Sequence, residues 1–147
     1  MSSQPLSFVD VEETLSDRYT QTMHSGKHRL VADEPVELGG NDNGPGPYEY
    51  VLMGLGACTS MTIRMYAERK KIPLQKVRVR LHHHKIHIED CSDCESKEGM
   101  VEEIFREIYL DGDLTAEQRQ TLLDIANRCP VHRTLVSEIK IRSSLVE

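Results

Sequence analysis

Four cysteines carry the chemistry that this chain of 147 residues can attempt: Cys58, Cys91, Cys94 and Cys129. No apolar leader follows Met1, so the expected compartment is the cytoplasm, where structural disulfides are rare and the default roles of cysteine are metal binding or redox chemistry. Cys58 and Cys129 stand 71 positions apart, each among apolar residues at helical spacing. A thiolate that attacks a peroxide O–O bond becomes a sulfenic acid, and a second thiol condenses with it to a disulfide. Two cysteines are the minimum for that cycle, and only folding can bring these two close. Periodicity alone favours a plainer reading, because a cysteine on an apolar helix face is more often a small buried hydrophobe than a nucleophile.

A second group lies within residues 82–94: His82, His83, His84, His87, Cys91 and Cys94. Cys-x-x-Cys is half of a zinc site, and strand alternation places His82 and His84 on one face with His83 and His87 on the other. No second Cys pair completes the set. Three readings stay open: a zinc site, a redox-active pair, and an exposed polar strand end, which is the commonest outcome for such a segment. His132, three residues after Cys129, either favours a neighbouring thiolate when protonated or caps carbonyls at a helix end.

The elements that must position these groups follow from pattern. Residues 18–32, with a turn signal at His24-Ser25-Gly26, predict a β-hairpin. The loop-forming run Gly39–Pro47 then divides the chain. Val51, Leu55, Cys58, Thr62 and Met65 predict one face of a long helix over Tyr48–Lys71, closed by Pro73. Alternation predicts strands over 74–90, with Val77, Val79 and Leu81 on one face, and over Val101–Leu110. Thr115 and Gln118 have the spacing of a capping box, opening a helix that runs to Asn127 or Arg128, with Leu122, Ala126 and Cys129 on one face. A last strand is expected over 135–145. The whole reads as an α+β chain forming a single domain over residues 1–147.

The net charge of −6 and a pI near 5.6 argue against nucleic acid as a partner, since backbone binding needs clustered cations. No apolar run approaches the roughly 20 residues of a membrane helix. Only 5% of the residues are aromatic and none is Trp, a modest core that a second subunit can complete.

The run Gly39-Gly-Asn-Asp-Asn-Gly-Pro-Gly-Pro-Tyr-Glu-Tyr-Val-Leu-Met-Gly-Leu-Gly-Ala-Cys58 and the later Cys129-Pro-Val-His132 resemble the two signature regions of the OsmC/Ohr family. The likeness spans roughly residues 18–142. It implies an intertwined homodimer with active sites at the subunit interface, and reduction of organic hydroperoxides or hydrogen peroxide. By that resemblance Cys58 is the peroxidatic cysteine and Cys129 resolves it. An arginine of the N-terminal hairpin, here Arg18 with Arg29 and Lys27 as substitutes, and a glutamate at the helix start activate the thiolate. The family carboxylate commonly stands ten residues before the reactive cysteine, where this chain has Tyr48; Glu49 is nine before it and is the nearest carboxylate. The resemblance implies no cofactor and no metal, but an external dithiol reductant such as a lipoylated protein. The rival readings are a non-catalytic OsmC-like protein that binds a small molecule in the same pocket, and a zinc or redox-sensing module built on Cys91 and Cys94.

Overall fold

The structure is a computed structural model that describes residues 7–147. The chain divides into two compact units, one ending at Val51 and one running from Leu52 to Glu147.

The first unit is a three-stranded antiparallel meander of β1 (Asp10–Glu13), β2 (Gln21–Ser25) and β3 (His28–Ala32). The expected hairpin is β2–β3, closing on Ser25↔His28, and Gly26 turns the chain at φ 58°, a left-handed conformation that glycine adopts without steric cost. The sequence reading missed β1. Its residues Asp-Val-Glu-Glu are all exposed and show no alternation; pairing with β2 alone makes them a strand. After β3 the loop folds back around Asp33, which is buried. Its carboxylate accepts hydrogen bonds from the backbone N–H groups of Glu34 (2.7 Å), Asn43 (3.0 Å) and Asn41 (3.3 Å) and from the Thr20 hydroxyl (3.0 Å). Burial opposes ionisation there, yet these donors hold the carboxyl below the usual aspartate range. Gly44 is required for the approach, because a Cβ there would lie 2.3 Å from the Val31 carbonyl oxygen.

The long helix α1 (Pro47–Arg69) begins in this unit and carries the chain into the second. From Leu52 onward follow the antiparallel hairpin β4 (Leu74–His87) and β5 (Met100–Gly112), then α2 (Ala116–Ala126) and a short α3 (Pro130–Leu135). Thr115 caps α2 with both hydrogen bonds of the capping box, from the Gln118 N–H to its hydroxyl and from its own N–H to the Gln118 side chain. Ile63 and Ala67 of α1, Leu74 of β4, and Leu122 and Ala126 of α2 form the core, flanked by Val77, Ile108 and Leu110 of the hairpin. No helix among the described residues is long and apolar enough to cross a membrane.

Three expectations need correction. The buried face of α1 is Leu55, Gly56, Thr59, Ile63 and Ala67, turned by one position from the predicted Val51, Leu55, Cys58, Thr62 and Met65. The helix is apolar on more than one side, with Met53, Met61 and Met65 exposed, so periodicity could not choose between faces. Cys58 accordingly stands at the edge of the buried face and is half-buried. The strand expected over 135–145 does not form: Leu135 closes α3, and residues 137–147 hold no ladder. Alternation supplies a strand's faces but not its neighbour, and Ile139 and Ile141 are 50% and 84% exposed. Finally, α3 has no counterpart in the sequence reading, being too short for a periodic signal.

The Asp33 knot yields a prediction. A carboxylate whose pKa is lowered on folding stabilises the fold above its unfolded pKa, and that contribution is lost as the pH falls through the folded value. Asp33→Asn is expected to unfold more easily than the wild type at pH 7 in urea, with the gap closing as the pH drops below 4. A gap independent of pH would contradict the assignment.

Candidate active site

The second unit brings Cys58 and Cys129 into contact. Cys58 lies in the fourth turn of α1. Cys129 follows α2, its N–H bonded to the Ala126 carbonyl at 3.3 Å, and serves as N-cap of α3 with Pro130 in the first turn behind it. Its sulfur is fully buried and accepts from the His132 N–H at 3.4 Å. Burial raises the Cys58 pKa, the hydrogen bond to Cys129 raises it further, and the Val131 N–H and Thr62 hydroxyl pull the other way. Burial also opposes ionisation of Cys129, but hydrogen bonds from Cys58 and from the His132 and Val131 N–H groups outweigh it and lower its pKa. The two thiols titrate as one coupled pair, with ionisation disfavoured at Cys58 and favoured at Cys129.

The cation for that charge comes from β5. The half-buried residues of its inner face are Ile104, Arg106, Ile108 and Leu110, while Phe105, Glu107 and Tyr109 are exposed. An arginine therefore occupies a position in an otherwise apolar register. Its guanidinium donates to Thr59 Oγ1 at 3.0 Å, Asn127 Oδ1 at 3.0 Å, His132 Nδ1 at 3.2 Å and the Ala126 carbonyl at 3.4 Å. None of these partners is an anion, and among the described residues no carboxylate is ion-paired with it. Burial lowers the Arg106 pKa, and the charges of Cys129 and Cys58 act in the opposite sense. Arginine only donates, so His132 Nδ1 accepts and the imidazole at this contact is neutral. Burial, then the Arg106 charge, lower the His132 pKa and keep it so. His132 thus positions Arg106 and is not the cation beside Cys129 that the sequence allowed.

A cavity of about 570 Å³ opens on this group, walled by Leu55, Ile104, Ile108 and Leu123 with Arg106 and His132 among its polar groups. An apolar cavity with a few convergent polar groups suits a small, largely apolar ligand.

Of the residues taken from the sequence, Cys58 and Cys129 are brought together. Arg18 and Glu49 belong to the other unit. Arg18 is exposed, its guanidinium 4.9 Å from the centre of the Tyr19 ring, and Glu49 is exposed in the first turn of α1. Lys27 and Arg29 are exposed at the β2–β3 turn. Arg106 was missed, although a charged residue in the run Ile104-x-Arg106-x-Ile108-x-Leu110 is a readable signal.

The histidine-rich strand end does not assemble around the Cys-x-x-Cys. His82 and His84 stack on Phe105 with centroids 4.7 and 5.1 Å away, His83 bonds Glu102, and His84 pairs with Glu103 at 3.0 Å. Cys91 and Cys94 are joined by a disulfide.

With fold and site described, comparison becomes informative. The model of the OsmC-like protein family matches residues 39–144. The chain belongs to that family. No curated protein matches it. Among solved structures, the OsmC-like protein from Mycoplasma pneumoniae superimposes with a TM-score of 0.69 at 20% identity, over 90% of this chain and 89% of that one. An organic hydroperoxide resistance protein from Elizabethkingia anophelis gives 0.67 at 20% identity over 95% and 94%. One from Legionella pneumophila, described also as a predicted redox protein, gives 0.65 at 18% over 92% of both. At such identities the likeness establishes the OsmC-like α+β fold, as the sequence resemblance implied.

The electrostatics of the pair predict a titration. Replacing Arg106 with Gln removes the half-buried cation, and the first deprotonation of the thiol pair, followed as the pH dependence of alkylation at Cys58 and Cys129, is expected to move up by about one pH unit. An unchanged profile would remove Arg106 from the site.

Proposed function

We propose that this OsmC-like protein is a cysteine-based peroxidase that reduces organic hydroperoxides or hydrogen peroxide. The observation that carries the proposal is the free thiol pair Cys58 and Cys129 beside Arg106, whose guanidinium bonds Thr59 and His132 and, among the described residues, pairs with no carboxylate. Hydroperoxide resistance in the names of neighbours from Elizabethkingia and Legionella agrees with it. Cys58 is the more accessible sulfur and Cys129 the buried one, which favours the first as the group that meets peroxide. Loss of its proton to solvent makes Cys58 the thiolate. Its sulfur attacks the distal peroxide oxygen, the O–O bond breaks, Cys58 becomes a sulfenic acid, and the departing alkoxide takes a proton from solvent to leave as alcohol. The Cys129 sulfur then attacks the sulfenic sulfur. The S–S bond forms, and hydroxide leaves with the Cys129 proton as water.

An external dithiol, such as a lipoylated protein, completes the cycle by exchange: its two thiols become a disulfide and return two protons and two electrons to Cys58 and Cys129. Arg106 stabilises the thiolate in this reading, and Arg18 with Glu49 are the other candidates for activation by family resemblance. We assign a homodimer to the working form, in which a second copy covers the exposed methionines of α1 and offers a partner strand to residues 137–147. The exposure of Met61, Met65, Ile139 and Ile141 supports it.

The test is kinetic. Cys58→Ser is expected to lose hydroperoxide consumption altogether, whereas Cys129→Ser should react once and accumulate a sulfenic acid that dimedone traps on Cys58. Full turnover by Cys58→Ser rules the proposal out. Arg106→Gln should slow the first step at pH 7 by about tenfold, the consequence of a one-unit rise in pKa; a loss confined to Arg18→Ala would transfer the activating role to the hairpin.

A further inference from the structure

The Cys91–Cys94 disulfide has no part in the cycle above, and a thiol pair in an exposed loop is a chemically competent centre. The loop between β4 and β5, residues 88–99, contains both cysteines, each half-exposed. It also contains Glu89, Asp90, Asp93, Glu95 and Glu98 against the single cation Lys97, a net charge of −4. Asp93 Oδ1 lies 3.4 Å from Cys91 Sγ. Arg106, which marks the Cys58–Cys129 site, is paired with Leu81, while the ladder ends at His87↔Met100. Six residues of β5 separate those two points, about 20 Å at the usual rise per residue. The two sulfur pairs thus belong to different stretches of the hairpin, the one beside Arg106 and the other in the loop beyond its end.

We propose that Cys91–Cys94 is a second, self-contained dithiol/disulfide centre, and that its loop selects cationic thiols, or dithiols carried on a basic surface, as reductants. The exchange proceeds by attack of a reductant thiolate on one sulfur of the disulfide. The Cys91–Cys94 bond breaks, a mixed disulfide forms, and the released sulfur takes up a proton. The second thiol of the reductant then displaces the remaining cysteine, so that the reductant leaves as a disulfide and Cys91 and Cys94 each end as S–H. The Cys91 thiol formed has the Asp93 carboxylate within reach as hydrogen-bond acceptor. Attack by a thiolate on a loop of charge −4 is opposed by Coulomb repulsion, which a positive charge elsewhere on the reductant offsets. Glutathione, itself anionic, is disfavoured for the same reason.

The experiment uses the full chain with Cys58→Ser and Cys129→Ser, so that Cys91 and Cys94 are the only sulfurs that exchange. Dithiothreitol is expected to reduce the pair, read by mass spectrometry as two alkylated cysteines, and oxidised dithiothreitol in excess to restore the bond. Cysteamine, a cationic thiol, should react about tenfold faster per thiolate than 2-mercaptoethanesulfonate at low salt, relative to the same two reagents on a small neutral disulfide, and the ratio should fall toward one near 1 M salt. Resistance to excess dithiothreitol overturns the proposal, as do equal rates at low salt. Zinc bound to the two sulfurs of the purified protein would also overturn it, since Cys91, Asp93 and Cys94 gather their ligand atoms within 4.8 Å. In the converse variant, Cys91→Ser/Cys94→Ser, hydroperoxide turnover at Cys58 should remain at the wild-type level; its loss would show that the centre is not self-contained. Absence of any turnover in the parent protein bears only on the peroxidase reading and leaves the exchange measurement intact.

Discussion

A guanidinium held in an apolar register, with no carboxylate paired to it among the described residues, is the constraint around which the second unit is organised. Partial burial weakens its hydration, and Arg106 compensates with four neutral hydrogen-bond acceptors drawn from β5's neighbours: Thr59 on α1, the end of α2 at Ala126 and Asn127, and His132 on α3. One side chain thereby ties three helices to the hairpin. What those acceptors do not provide is negative charge. The groups beside Arg106 that can take it up are Cys129 and Cys58, whose charge acts on the Arg106 pKa against the effect of burial. A protein that only needed to fill this space would do better with a leucine, so the arginine points to the chemistry rather than to stability.

Local details serve the same arrangement. Gly56 lets the hairpin approach α1, because a Cβ there would stand 2.8 Å from Leu81 Cδ1. Thr59 returns its hydroxyl proton to the Leu55 carbonyl at 2.7 Å, which leaves its oxygen free to accept from Arg106. Pro130 has no N–H to satisfy at the start of α3, and the Cys129 sulfur accepts from the His132 N–H two residues further on. Each of these residues looks unremarkable alone. Together they set the sulfur pair beside Arg106 and His132, which line an apolar cavity.

Much of this was legible in the sequence. The β2–β3 hairpin, α1, the alternation of β4 and β5 and the capping box at Thr115 all follow from patterns whose physical cause is local. Those patterns also placed Cys129 on the buried face with Leu122 and Ala126, as found. The failures arise where partners are decisive. β1 and the expected C-terminal strand depend on which edge is offered to them, and α1 has more apolar surface than one chain buries, so its face could not be chosen. The meeting of Cys58 with Cys129 came from resemblance and not from spacing. Arg106 was the omission with most consequence for function: its place in the Ile104–Leu110 register was visible, but strand alternation alone does not say that this face meets the two thiols.

The central claim is that Cys58 and Cys129 form one redox unit. Its most direct test is to treat the reduced protein with one equivalent of an organic hydroperoxide, block the remaining thiols and map the cross-linked peptides by mass spectrometry. The account predicts a Cys58–Cys129 disulfide formed at the rate of peroxide loss. Peroxide consumed with Cys58 and Cys129 both recovered as free thiols would contradict it.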